Sequence, residues 1–217
     1  MSPGPATSNH TEVEMFVQMF TGKVTDADAV RATLESWPTG AGRDAKGWLG
    51  STAGITDDGQ LVALARFESA EAARANSDRP EQGQWWDSLA ANLDGEATFF
   101  DSTEVDEDLV GDPDTAGFVQ VMRGQVSDAA RARELASADP GAWARFRPDI
   151  LGSLLLSRDD GEYVMAISFT SEAEARVGEQ TEPPAELAAT MQEMNELEVG
   201  EVTYHDLRDP WMMSPST

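Results

Sequence analysis

A chain of 217 residues with 40 acidic against 15 basic side chains carries a formal charge of −25, a surface that repels phosphate backbones and anionic lipids and argues against nucleic acid or a membrane surface as partner. Cysteine is absent, which removes disulfides, thiol nucleophiles and thiolate metal sites together, while 40% hydrophobic residues and six tryptophans supply apolar material for packed cores. No basic leader with an apolar run opens the chain, and no stretch approaches the ~18 apolar residues of a membrane helix, so the cytoplasm is the expected compartment.

Residues 1–12, with three small turn formers among Pro3, Gly4 and Pro5 and one histidine, His10, read as a flexible N-terminus. From Val13 to Thr21 apolar residues alternate, Met15, Val17 and Met19 on one face and Phe16, Gln18 and Phe20 on the other, which predicts a strand. Thr25 is the expected cap of a helix that runs to about Ser36, with Asp26 and Asp28 near the positive end of its dipole. After a glycine-rich loop, the strands Trp48 to Thr56 and Gln60 to Phe67 flank Asp57-Asp58-Gly59, a strong hairpin signal. Ser69 opens an alanine-rich helix, Arg79-Pro80 interrupts it, a helical piece spans Gln82 to Asn92, and Glu96 to Ser102 forms a fourth strand. The order β-α-β-β-α-β is the split unit of ferredoxin-like domains.

The chain then repeats itself. Leu49-Gly50-Ser51, Asp57-Asp58-Gly59, Phe67, Ser69 and Arg74 recur at a constant offset of 102 as Leu151-Gly152-Ser153, Asp159-Asp160-Gly161, Phe169, Ser171 and Arg176. Two tandem units follow, 13–103 and 116–209, joined by an acidic linker at 104–115 and ended by a tail at 210–217 in which Trp211, Met212 and Met213 dock on the body. An EF-hand does not fit the linker, because Val110 and Gly117 fall where oxygen ligands are required. Ser171 through Glu174 reads as a capping box, and the last strand, Gly200 to Leu207, aligns with Gly95 to Ser102 after a three-residue insertion.

Both faces of the third strand are apolar, with Leu61, Ala63, Ala65 and Phe67 opposite Val62 and Leu64, so each sheet needs cover on two sides. Helices cover one; the other half of the chain covers the second. The fold class is therefore α+β, two tandem ferredoxin-like units packed sheet to sheet. The Phe-Val-Gln first strand, the Asp-Asp-Gly hairpin, and the phenylalanine and serine that lead into the second helix resemble the antibiotic-biosynthesis monooxygenase family of dimeric α+β barrels. The resemblance implies both subunits of such a barrel fused in one chain. It also implies one of several activities, among them cofactor-independent oxygenation of polycyclic aromatic substrates and haem degradation; a haem role is disfavoured here, since no predicted helix carries a histidine to hold the iron.

No constellation singles out a catalytic group. Gln18 and Gln120, amides mid-strand between apolar neighbours, are placed to orient a ligand between sheet and helices or to bond across the barrel seam. Arg66, whose counterpart is Ser168, is an anion-binding group or a charge-paired edge residue. His205 is a general base beside Tyr204 and Asp206 or a structural histidine. Trp48, Trp85, Trp86 and Trp143, with Trp37, offer flat faces for an aromatic ligand as well as core packing. Arg43 and Arg145, aligned at the offset of 102, are candidates to face a pocket or to pair with the abundant acids. No cofactor and no metal site are expected. Two functions stay open, a cofactor-independent oxygenase of an aromatic or quinol-type molecule and a non-catalytic binding or interaction module. The first requires an interior not filled by side chains. A fused pair needs no partner to close its barrel, so a monomer is expected, with pairing through sheet edges the alternative.

Overall fold

The computed structural model describes residues 15–138, 143 and 145–215; His10, the expected N-terminal tail and Pro140 lie outside the described residues. The first unit runs β1 (Phe16–Val24), α1 (Ala27–Glu35), β2 (Trp48–Ile55), β3 (Gln60–Phe67), α2 (Ala70–Ser77), α3 (Pro80–Ala90) and β4 (Leu93–Ser102). The second runs β6 (Phe118–Gln125), α4 (Ala129–Ser137), β7 (Ile150–Ser157), β8 (Glu162–Phe169), α5 (Glu172–Glu179), α6 (Ala185–Leu197) and β9 (Thr203–Leu207), with β5 (Glu104–Leu109) before it and β10 (Trp211–Met213) after it.

Local chemistry accounts for the boundaries. The Ser69 hydroxyl accepts from the Ala72 amide and the Ser171 hydroxyl from the Glu174 amide, satisfying donors that the first turn leaves free. The reciprocal half of the expected capping box is different: the Glu174 carboxylate accepts from the Ser171 and Thr170 hydroxyls. α1 is capped by Asp26, not Thr25, and α4 by Asp128. In each hairpin the glycine holds the left-handed conformation that the turn demands, φ 78° at Gly59 and 87° at Gly161.

The strands form two five-stranded antiparallel sheets, ordered β10-β2-β3-β1-β4 and β5-β7-β8-β6-β9. The fifth strand of each comes from across the molecule. The segment 104–115, an acidic linker by composition, carries β5, which leaves the first unit to pair with β7; β10 crosses the other way to pair with β2. Charge obscured β5, because its alternate residues Asp106 and Asp108 are exposed at an edge, where a strand needs no apolar periodicity. These reciprocal crossings lock the two units together.

Between the sheets lies a core of fully buried aliphatic groups. Val17, Met19, Val62 and Leu64 from the first sheet meet Val119, Val121, Leu156 and Leu207 from the second. The period-2 alternation of β1 and β3 is thus realised as predicted, one face toward the partner sheet and the other toward the helices. The space between the sheets is filled by side chains, so the expectation that a ligand-holding interior would lie inside the barrel is overturned, and a hollow able to hold a ligand has to be sought between sheet and helices. The open space lies on the other side of the first sheet.

Candidate functional site

The helix-facing residues of the first sheet, Phe16, Gln18 and Phe20 of β1, Ala63, Ala65 and Phe67 of β3, and Trp48 and Ser51 of β2, form the floor of a cavity of about 290 Å³. This is near the ~300 Å³ lower end of small-molecule sites. α1 and the turn after it contribute Leu34 and Trp37, α2 contributes Ala73 and Asn76, α3 contributes Gln82, Trp85 and Trp86, and β10 seals one side with Met213. Small side chains at Ala63 and Ala65 of β3 and Ser51 of β2 leave part of this floor low. At the offset of 102, Ala63 and Ala65 are replaced in the second unit by Met165 and Ile167.

The aromatic walls are fixed in orientation. The Trp48 indole donates to the Ser51 hydroxyl at 3.0 Å and the Trp85 indole to the Thr33 carbonyl at 2.9 Å. Trp37 packs on Trp85 with centroids 4.9 Å apart, and Phe20 meets Trp86 edge-on at 5.3 Å. Such rings bind a flat ligand at low entropic cost because their rotamers are already set.

The polar groups are few. Register places Gln18 opposite Asp101 on β4, and the Gln18 amide donates to Asp101 Oδ1 at 2.9 Å. The buried Asn76 accepts from Arg79 at 3.0 Å, and Arg79 also donates to the Ala41 carbonyl. Two groups are unmet. Gln82 Oε1 is buried with no hydrogen-bond partner, and the guanidinium of Arg74, an exposed residue of the lining, makes no hydrogen bond or ion pair among the described residues.

The second unit carries the same framework in closed form. Gln120 donates to Asp206 at 3.0 Å, as Gln18 does to Asp101. Here, however, Arg176, the counterpart of Arg74, is paired with Asp206 and its guanidinium lies 5.1 Å from the Phe118 ring. Arg147 stands where the first unit has Ala45. Its guanidinium bonds Asp149 through two contacts of 2.9 and 2.7 Å, donates to the Ala175 carbonyl and covers the Phe169 ring. Ala175 and Phe169 correspond to Ala73 and Phe67 of the cavity. A Cβ on Gly178, the counterpart of Asn76, would fall 2.1 Å from the same guanidinium. The space that is hollow in the first unit is occupied by an arginine in the second.

Of the residues singled out in the sequence, Gln18, Trp37, Trp48, Trp85 and Trp86 meet at the cavity. Gln18 bonds Asp101 and Gln120 bonds Asp206, so neither amide bridges the two halves. Arg66 points to the inter-sheet side and pairs with Glu107 of β5 at 2.9 Å. His205 is opposite Val121 on the inter-sheet face. Burial, with Arg123 adding to it, holds its pKa below the ordinary value against the opposing pull of Asp58 and Asp206. Trp143 lies by Phe146 in the second unit. Arg43 and Arg145 are exposed and do not line the cavity; Arg43 pairs with no acid among the described residues.

Sequence reasoning passed over Asp101, Asn76 and Gln82 as site residues, and noted Arg74 only as part of the repeat. A signal existed for two of them: Arg74 recurs as Arg176 and Asp101 as Asp206. Their meeting with Gln18 needs the β1–β4 register, which no local pattern gives.

No family model matches the chain, and no curated relative does. Solved structures do. A candidate monooxygenase of Fusobacterium nucleatum superposes with a TM-score of 0.72 at 8% identity, over 94% of this chain and 96% of its own. A candidate monooxygenase of Lactobacillus acidophilus gives 0.68 at 10% identity, over 92% and 99%. An anthrone oxidase-like protein gives 0.66 at 11% identity, over 93% and 94%. At these identities the likeness is one of fold, and it extends over both units.

Proposed function

From a chain with the fold of a fused dimeric α+β barrel, as in full-length monooxygenase-like structures, we propose a cofactor-independent monooxygenase whose first unit binds a flat aromatic or quinol-type molecule and oxidises it with dioxygen. The observation that carries this reading is the tryptophan-walled cavity of about 290 Å³ with its single Gln18–Asp101 pair. An activated aromatic ring needs only to lose a proton to become electron-rich enough to react with dioxygen. Asp101 is the group at hand to take that proton, oriented by the Gln18 amide. At an activated CH2 carbon, one oxygen atom of O2 becomes the carbonyl of the product and the other leaves with both hydrogens as water, so no external reductant is consumed. The protein supplies orientation against the aromatic walls.

Anthrone is a sensible first substrate, since one fold neighbour is described as anthrone oxidase-like, with simple hydroquinones beside it. The expected result is oxygen uptake matched mole for mole by oxygenated product, reduced ~10²- to 10⁴-fold in Asp101→Asn, the usual range for loss of a general base. Binding without uptake across these substrates would leave the second reading, a non-catalytic small-molecule binding module. The observation in its favour is that no histidine is among the residues that line the cavity.

A further inference from the structure

The two halves of the chain carry the same three polar residues and use them differently. In the second unit the glutamine, aspartate and arginine close on one another, Gln120 to Asp206 and Asp206 to Arg176. In the first, Gln18 and Asp101 are joined, but Arg74 stands apart on the cavity lining without a partner among the described residues. On the lining of the same cavity Gln82 presents an amide oxygen that is buried and accepts nothing. A buried acceptor left unmet is costly to the fold, and such groups persist where something else completes them. The guanidinium of Arg74, on an exposed part of the lining, offers donors to an anionic oxygen, the Gln82 amide oxygen asks for an O–H or N–H donor, and the tryptophan rings of the same cavity are shaped for a flat ring.

We infer that the ligand of the first unit is a hydroxylated aromatic acid, held once per chain, with its acidic oxygen on Arg74 and its hydroxyl donating to Gln82 Oε1. This rests on the reading of the cavity as the functional site and adds the ligand's polar groups and its stoichiometry. One ligand per chain follows because Arg147 and Arg176 occupy the corresponding space of the second unit, against the counterparts of Phe67, Ala73 and Phe16.

The test is calorimetric and tryptophan-fluorescence titration of the full chain with 6-hydroxy-2-naphthoate, whose hydroxyl cannot bond its own carboxylate, 2-naphthoate and 2-naphthol. Hydroxynaphthoate is expected to bind tightest, at one site per chain. Arg74→Gln should weaken both acids about 10- to 100-fold, the worth of a charged hydrogen bond, and leave naphthol unchanged. Gln82→Leu should weaken the two hydroxylated probes and spare 2-naphthoate. Near-ultraviolet circular dichroism confirms that each variant stays folded. Equal binding of naphthol and hydroxynaphthoate, indifference to Arg74→Gln, two sites per chain, or no binding of hydroxynaphthoate would each overturn the inference. Oxygen uptake on a neutral hydroquinone is scored separately. Uptake without any Arg74 dependence removes this inference alone, whereas Arg74-dependent binding with no uptake on any substrate removes the oxygenase reading alone.

Discussion

Replacing Arg147 by alanine probes the asymmetry between the two units directly. Its guanidinium makes two contacts with Asp149, both side chains being only 10% exposed, and a third to the Ala175 carbonyl at 3.1 Å. Removing one partner of a buried ion pair strands the other charge in a low dielectric, at a cost of about 3–5 kcal/mol. With a urea dependence of ~2 kcal/mol per molar, the unfolding midpoint falls by roughly 2 M. The companion Arg147→Met, Asp149→Leu removes both charges and keeps much of the volume, so it should recover to within about 1 kcal/mol of the parent. Urea titration followed by far-ultraviolet circular dichroism reads both. A loss below about 1 kcal/mol in Arg147→Ala would mean that the pair is solvated. The claim that the second hollow is filled would then fail.

Further outcomes follow from the same geometry. Gly59 and Gly161 occupy equivalent turns, but a Cβ at Gly161 falls 2.2 Å from the Val126 carbonyl oxygen, whereas at Gly59 the nearest group is the Lys23 ammonium at 3.7 Å. Thermal melts should show Gly59→Ala paying only the left-handed penalty of roughly 1–2 kcal/mol and Gly161→Ala distinctly more. Equal losses would refute the clash. Trp211 of β10 is buried in the helix-side core with its indole N–H unpartnered, so Trp211→Ala should cost about 3–5 kcal/mol, while Trp211→Phe, which removes the unmet donor, should cost far less in the same denaturant titration. For His205, whose folded pKa lies below 6.5 chiefly through burial, the unfolded chain binds the proton more readily, so stability is full above pH 6.5 and declines as the pH falls below it. His205→Phe, the residue its counterpart Phe100 supplies, should flatten that decline; an unchanged slope would assign it to other groups.

The architecture was legible because duplication and period-2 alternation are local signals. The hairpins Trp48 to Phe67 and Ile150 to Phe169 need only their Asp-Asp-Gly turns, and the two-faced apolar pattern of β3 required a covering sheet. β5 was not legible, since Glu104, Asp106 and Asp108 form a strand only because β7 offers an unpaired edge. Within the site, Gln18 and the tryptophans stood out by residue type. Arg74 and Asp101 did not, because among so many charged residues neither is conspicuous until the strand register sets Asp101 beside Gln18. The contrast between an open and a plugged hollow hangs on Ala45 against Arg147, a difference whose meaning appears only once the backbone places the arginine on Phe169 and Ala175.

A crystal structure of the chain grown with 6-hydroxy-2-naphthoate would show which of the two hollows takes a ligand and which polar groups hold it. The ring should lie among Trp48, Trp85 and Trp86, its carboxylate on Arg74 and its hydroxyl toward Gln82, with Arg147 undisturbed in the second unit. Density in the second unit, or a naphthoate lodged outside the first-unit cavity with the tryptophans closed over an empty space, would contradict that placement.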